Sequence, residues 1–248
     1  MTANMSSTYD RPVSKILNSA LLVGQQSVSE LWMVHHAEPS DIHIAHEDGF
    51  HEHNLSEKGL SQAFFLSKKL QDYKVSAIYS CPCGSCLQTA EIIAVPHDLV
   101  VTTMMDLSGI RFFANKPQDT MVPALREALA GYQDEIERAF TNTGKWTAFP
   151  FCEVSKEFRQ RISQAIDEVL DYHIGERIVL VADSTVINGY IAEILDITKD
   201  MWFHPDYGSV SVVRSWNYMR VVHTINDTAH LGSGCNNSTN TKVDKESR

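Results

Sequence analysis

Leu31-Trp32-Met33-Val34-His35-His36-Ala37-Glu38 is the stretch that decides the fold. Its apolar half reads as a short buried strand, and its polar half marks where that strand stops. Ile178-Val179-Leu180-Val181, four β-favouring residues in a row, is the clearest strand of the chain and stops just before Asp183. Outward from these two, Val75–Tyr79 is a third short strand. Residues 56–71 carry Leu60, Phe64, Leu66 and Leu70 with lysines between them, which is helical periodicity. Helices are also expected over 87–93, over 119–141 with a break near Gly131, over 158–172 and over 185–195. Val210–Ser215 and Arg220–Ile225 read as two late strands around a turn at 216–218. Strands alternating with helices imply an α/β protein with a largely parallel sheet.

Composition bounds the rest. The 248 residues suit one domain with a modest insert. A net charge of −10 and a pI near 5.5 argue against nonspecific binding to nucleic acid or to anionic membranes. No apolar run reaches the roughly 18 to 20 residues of a membrane helix. Ile16–Gly24 is mildly apolar but interrupted by Asn18 and Ser19, and it lacks the basic flank of a signal peptide. Five cysteines, an odd number in a chain able to bury a core, favour reduced thiols and a cytoplasmic location. The expected organisation is an N-terminal extension over 1–28, with 1–14 poorly ordered, a domain over 29–231 with a helical insert near 107–152, and a polar tail over 232–248.

Four stretches in order carry a resemblance. His35-His36-Ala37-Glu38 at its strand end is similar to Arg-His-Gly-Glu. Asn54-Leu-Ser-Glu-Lys-Gly-Leu-Ser-Gln-Ala63, then Ala77-Ile-Tyr-Ser80, then Leu87-Gln-Thr-Ala-Glu91 follow at matching spacing. Glu176 to Ser184 and the close Asn226 to Leu231 complete the set. Over roughly 29–231 the chain resembles the histidine phosphatase, or phosphoglycerate-mutase-like, superfamily. The resemblance implies a three-layer α/β/α sandwich with a mostly parallel sheet, and it puts His36 at the position of the phosphorylated nucleophile.

The same resemblance marks departures. The family holds phosphate with two arginines and two histidines, and a carboxylic acid donates the proton. Here the first arginine is His35, the second is Ser85, the second histidine is Asp183 and the expected acid is Gly109. Each lost charged hydrogen bond costs about 1.5–3 kcal/mol. A carboxylate about 4 Å from a phosphate adds about 4 kcal/mol of repulsion at an effective dielectric near 20. This reading expects no phosphatase or mutase activity. It favours a repurposed enzyme (a lyase, isomerase, cyclase or hydrolase) in which His36 and Asp183 form an acid–base pair on a small metabolite. Glu38 assists, and His35, Ser85, Ser184 and Thr185 bind substrate. The alternative is an inactive pseudophosphatase that binds a ligand or partner; a homodimer is the other partner considered.

Two clusters keep a divalent metal open. Cys81-Pro-Cys83-Gly-Ser-Cys86 has thiolate-ligand spacings, against which stands the ordinary use of cysteine as a small core residue. Six of the eleven histidines fall between 35 and 53, among them His43 and His46, interleaved with acids. Cys86 is also a candidate nucleophile at a helix start. Gly84-Ser85-Cys86 could offer backbone amides to an anion. Phe112, Phe113, Phe149 and Phe151, with Trp146 and Trp202, are read as core or as an apolar lid.

Overall fold

A computed structural model describes residues 10–40, 44–45, 51–52, 54–118 and 120–232. The strands are β1 (Ser29–His35), β2 (Ile44–Ala45), β3 (His51–Glu52), β4 (Ala77–Ser80), β5 (Val101–Thr103), β6 (Arg177–Ala182), β7 (Val210–Trp216) and β8 (Met219–Asp227). The helices are α1 (Asp10–Ala20), α2 (Glu57–Leu70), α3 (Gly84–Ala94), α4 (Val122–Ala130), α5 (Gln133–Thr143), α6 (Ser155–Tyr172) and α7 (Ser184–Ile194).

Six strands form one sheet in the order β5-β4-β6-β1-β7-β8, and β2 pairs with β3 apart from it. β5, β4, β6 and β1 run parallel, while β7 and β8 close the edge antiparallel. The helices layer on this sheet as an α/β/α sandwich, α2 packing with α3 and α6 with α7. β1 and β6 lie mid-sheet, which explains their unbroken apolar runs: a parallel strand covered on both faces has no polar side. Leu31, Met33, Val34, Ile178, Val179 and Val181 are all fully buried.

The helices fall where periodicity put them, with one change of phase. α2 buries Gly59, Gln62, Ala63, Leu66 and Leu70, whereas Leu60 and Phe64 face solvent. Ser56 caps the helix by accepting from the Gly59 amide. The break near Gly131 separates α4 from α5. Residues 10–14 were expected to lack order, yet α1 begins at Asp10; its apolar face, including Ile16 and Leu17, is exposed. β5 had no signal beyond two β-branched pairs, and as an edge strand it needs little.

The segment over 107–152 packs into the main core, with Leu107, Ile110, Trp146 and Cys152 buried there and Phe140 and Phe149 against it. Phe112, Phe140, Trp146 and Phe149 make ring contacts at 5.1–5.9 Å, so these aromatics pack on one another. Two buried acids tie the insert to the body. Asp200 accepts from the Trp146 amide, Ser155 Oγ and the Arg159 guanidinium. Glu153 pairs with Arg161, which also donates to the Asp106, Ser108 and Gly109 carbonyls. No helix among the described residues is long and apolar enough to cross a membrane.

Candidate active site

Three neighbouring parallel strands, β4, β6 and β1, end at one edge of the sheet. The register aligns Ser80 with Val181 and Ala182 with His35. Cys81, Asp183 and His36 therefore leave the sheet side by side, and the ladder continues through Cys81 N–H to Val181 O and His36 N–H to Ala182 O. This is the carboxyl edge, where open α/β sheets build their sites.

His36 is partly exposed, and its Nδ1 lies 2.8 Å from the Ala37 carbonyl. A carbonyl only accepts, so Nδ1 carries the proton and a neutral ring keeps its lone pair on Nε2. The Ala37 amide donates to Thr89 Oγ1, which donates to Ser85 O at the start of α3. The loop that presents His36 is thereby fixed to a helix.

Asp183 has a different occupation. One oxygen, Oδ1, accepts from the Thr185 and Val186 amides and from Thr185 Oγ1, so the residue caps α7. No hydrogen bond joins His36 and Asp183 among the described residues: His36 Nδ1 is turned to Ala37 O and Asp183 Oδ1 to the start of α7, so the acid–base pair expected from the sequence is not formed as a direct contact. Burial pushes the Asp183 carboxyl above its ordinary range, against the hydrogen bonds from Thr185 and Val186, and the nearby His36 is also felt. Gly109 lies against the other oxygen, where an added Cβ would overlap Asp183 Oδ2.

The remaining sequence candidates divide. Glu38 is tied to the start of α2 by Lys58 Nζ at 2.8 Å and Ser56 Oγ at 3.0 Å, and its own amide donates to Gln62 Oε1. His35 is buried, stacked on Tyr207 at 5.1 Å, with Nδ1 against Asp206 O. Burial holds its imidazole well below the usual range, so at neutral pH it offers no positive charge. Ser85 is buried in the first turn of α3, while Ser184 and Thr185, in the first turn of α7, are partly exposed. His43 and His46 lie outside the described residues, so the histidine-rich stretch is not placed.

Cys81, Cys83 and Cys86 do converge, their sulfurs all within 4.8 Å of one another. Tyr207 is a member that sequence reasoning missed. It contacts the His35 and His36 rings from the turn Pro205-Asp206-Tyr207-Gly208, and Gly208 donates its amide to the His35 and His36 carbonyls. The Pro-Asp-Tyr-Gly string was the available turn signal.

Comparison with known proteins bears on this edge. The family model described as histidine phosphatase superfamily (branch 1) matches residues 31–228. Phosphoserine phosphatase 1 of Hydrogenobacter thermophilus is 25% identical over 205 residues, covering 82% of this chain and 94% of that protein. Probable phosphoglycerate mutase GpmB of Yersinia pestis is 22% identical over 170 residues, covering 68% and 75%. Among solved structures, Bacillus stearothermophilus YhfR superposes with a TM-score of 0.66 at 24% identity, over 82% of this chain and 99% of that one. These findings overturn the expectation of a non-phosphatase lyase, isomerase, cyclase or hydrolase, and the expectation that phosphatase or mutase activity is lost. By their names the first two relatives are a phosphatase and a probable mutase.

Proposed function

We propose a phosphatase-type activity on a small phosphomonoester, from the premise that the chain belongs to the histidine phosphatase superfamily. One observation carries it: His36 directly follows central strand β1 with Nδ1 engaged by Ala37 O, which leaves Nε2 as a free nucleophile at the carboxyl edge. In this reading Nε2 attacks phosphorus, the P–O bond to the alcohol breaks, and the alkoxide leaves with a proton. Water then hydrolyses the phosphohistidine and returns His36.

Asp183 is the group that supplies the leaving-group proton. Its burial favours the protonated acid, and that form also removes the repulsion a carboxylate would exert on phosphate. Because its pKa is raised, the active protonated form persists above the ordinary carboxyl range and is lost as pH rises further, so turnover falls on the alkaline side. Ser85 and the neutral His35 stand where the resemblance places cations, so slow turnover is expected. The relatives' names make phosphoserine and phosphoglycerate the first substrates to offer.

The test is phosphoserine or p-nitrophenyl phosphate turnover, with alkaline quench and mass spectrometry for a phosphate on His36. Turnover and label in the wild type, both gone in His36→Ala, support the proposal. Turnover that survives in His36→Ala, or none in the wild type with either substrate, overturns it.

A further inference from the structure

We propose that Cys81, Cys83 and Cys86 form a three-thiolate site for one zinc-class divalent cation at the carboxyl edge of the sheet, beside His36. No step of the phosphoryl reading uses these residues, and the site stands whether or not that reading holds.

Geometry carries the inference. The three residues come from one turn: Cys81 follows β4, Cys83 precedes α3, and Cys86 lies in the first turn of that helix. All three sulfurs lie within 4.8 Å of one another, and Cys81 Sγ and Cys83 Sγ are 3.2 Å apart. Zinc–sulfur bonds of about 2.3 Å in a tetrahedron put ligand sulfurs about 3.8 Å apart, between those two figures. Small side-chain rotations therefore suffice, with the backbone already fixed by β4 and α3. Cys81 and Cys86 are buried while Cys83 is partly exposed, so the trio has one side toward solvent by which an ion can enter.

Chemistry agrees. Three thiols that only filled space would not need to aim at each other, and thiols are poor mutual hydrogen-bond partners. Thiolates are the metal-binding form, so loading the site expels thiol protons. Thiolate sulfur selects zinc and softer ions over magnesium or calcium. Three protein ligands leave a tetrahedral ion one further position, and the charged groups felt by Cys83 and Cys81 here are His36 and Asp183. Zinc with three thiolates carries a net charge of about −1 by count, which opposes a phosphate dianion. Loading therefore lowers any phosphate turnover.

The experiment uses full-length reduced protein titrated with Co²⁺ and then Zn²⁺. Expected is a thiolate-to-cobalt charge-transfer absorption saturating at one ion per chain, displaced by Zn²⁺, lost in Cys83→Ser and kept in Cys152→Ser. Cys83→Ser should retain the wild-type circular dichroism, since that side chain is partly exposed. Absence of the absorption in folded wild type, or its survival in Cys83→Ser, overturns the site. A titration that succeeds while neither phosphoserine nor p-nitrophenyl phosphate is turned over by the metal-free protein would sink the phosphatase reading and leave this one standing.

Discussion

The two edges of the central sheet are built from similar residues and behave in opposite ways. At the amino edge, Glu30 on β1 meets Arg177 on β6 at 2.7 Å and Arg214 on β7 at 3.3 Å, and His173 meets Glu176 at 2.7 Å. Glu30 is thus matched by arginines on both neighbouring strands, and these side chains are spent on one another. At the carboxyl edge the polar groups turn to their own backbone. His36 bonds Ala37 O, Asp183 caps α7, and the cysteines face one another. The difference teaches where chemistry can sit: charges that satisfy each other make structure, and groups held by backbone keep a free atom.

The sharpest way to break the contrast is at His36. His36→Ala should lower phosphomonoester turnover by about a thousandfold or more, with little change in melting temperature. Next is Asp183→Asn, which keeps the helix cap but not the proton. Phosphoserine turnover should fall by about a hundredfold, and p-nitrophenyl phosphate, whose leaving group needs no proton, should suffer less. Equal losses on both substrates would assign Asp183 to binding.

The amino edge should answer in stability alone. Glu30→Gln removes the charge from a network with both arginines and should cost about 1–2 kcal/mol, read as a melting shift of about 2–6 °C. Turnover should not change; if it does, the two edges are coupled.

The smallest effect is in pH. Burial first, and then Lys69, depress His230 to about 4, and burial holds His35 well below its ordinary range. Unfolded histidines take protons near 6.5, so the unfolded state binds more protons below that pH. Stability is therefore full above 6.5 and declines from 6.5 toward about 4. Glu30 behaves otherwise: burial would raise it, but Arg177 holds it below the ordinary glutamate range, so its contribution is full at neutral pH and fades only in stronger acid. Thermal melts between pH 7 and 5 should show the decline, less steep in His230→Gln.

How much of this was legible follows from which forces are local. β1 and β6 announced themselves because burial on both faces leaves only apolar residues, and α4 and α5 because Gly131 divides an otherwise helical pattern. Leu60 and Phe64 misled because periodicity fixes a stripe but not which side of it meets the sheet. The convergence of Cys81, Cys83 and Cys86 was half visible as spacing. The state of His36 and Asp183 was not visible, because it depends on backbone acceptors and donors that any sequence possesses. Tyr207 is 171 residues from His36, and only the β1–β7 pairing brings its turn there.

The contact between Gly109 and Asp183 has a consequence for mutagenesis. A side chain at 109 would overlap the present position of the Asp183 carboxylate, so one of the two must shift when 109 is enlarged. Substitutions at these positions, 74 residues apart in the chain, are therefore coupled: enlarging 109 costs less once 183 is small, and the two effects do not add.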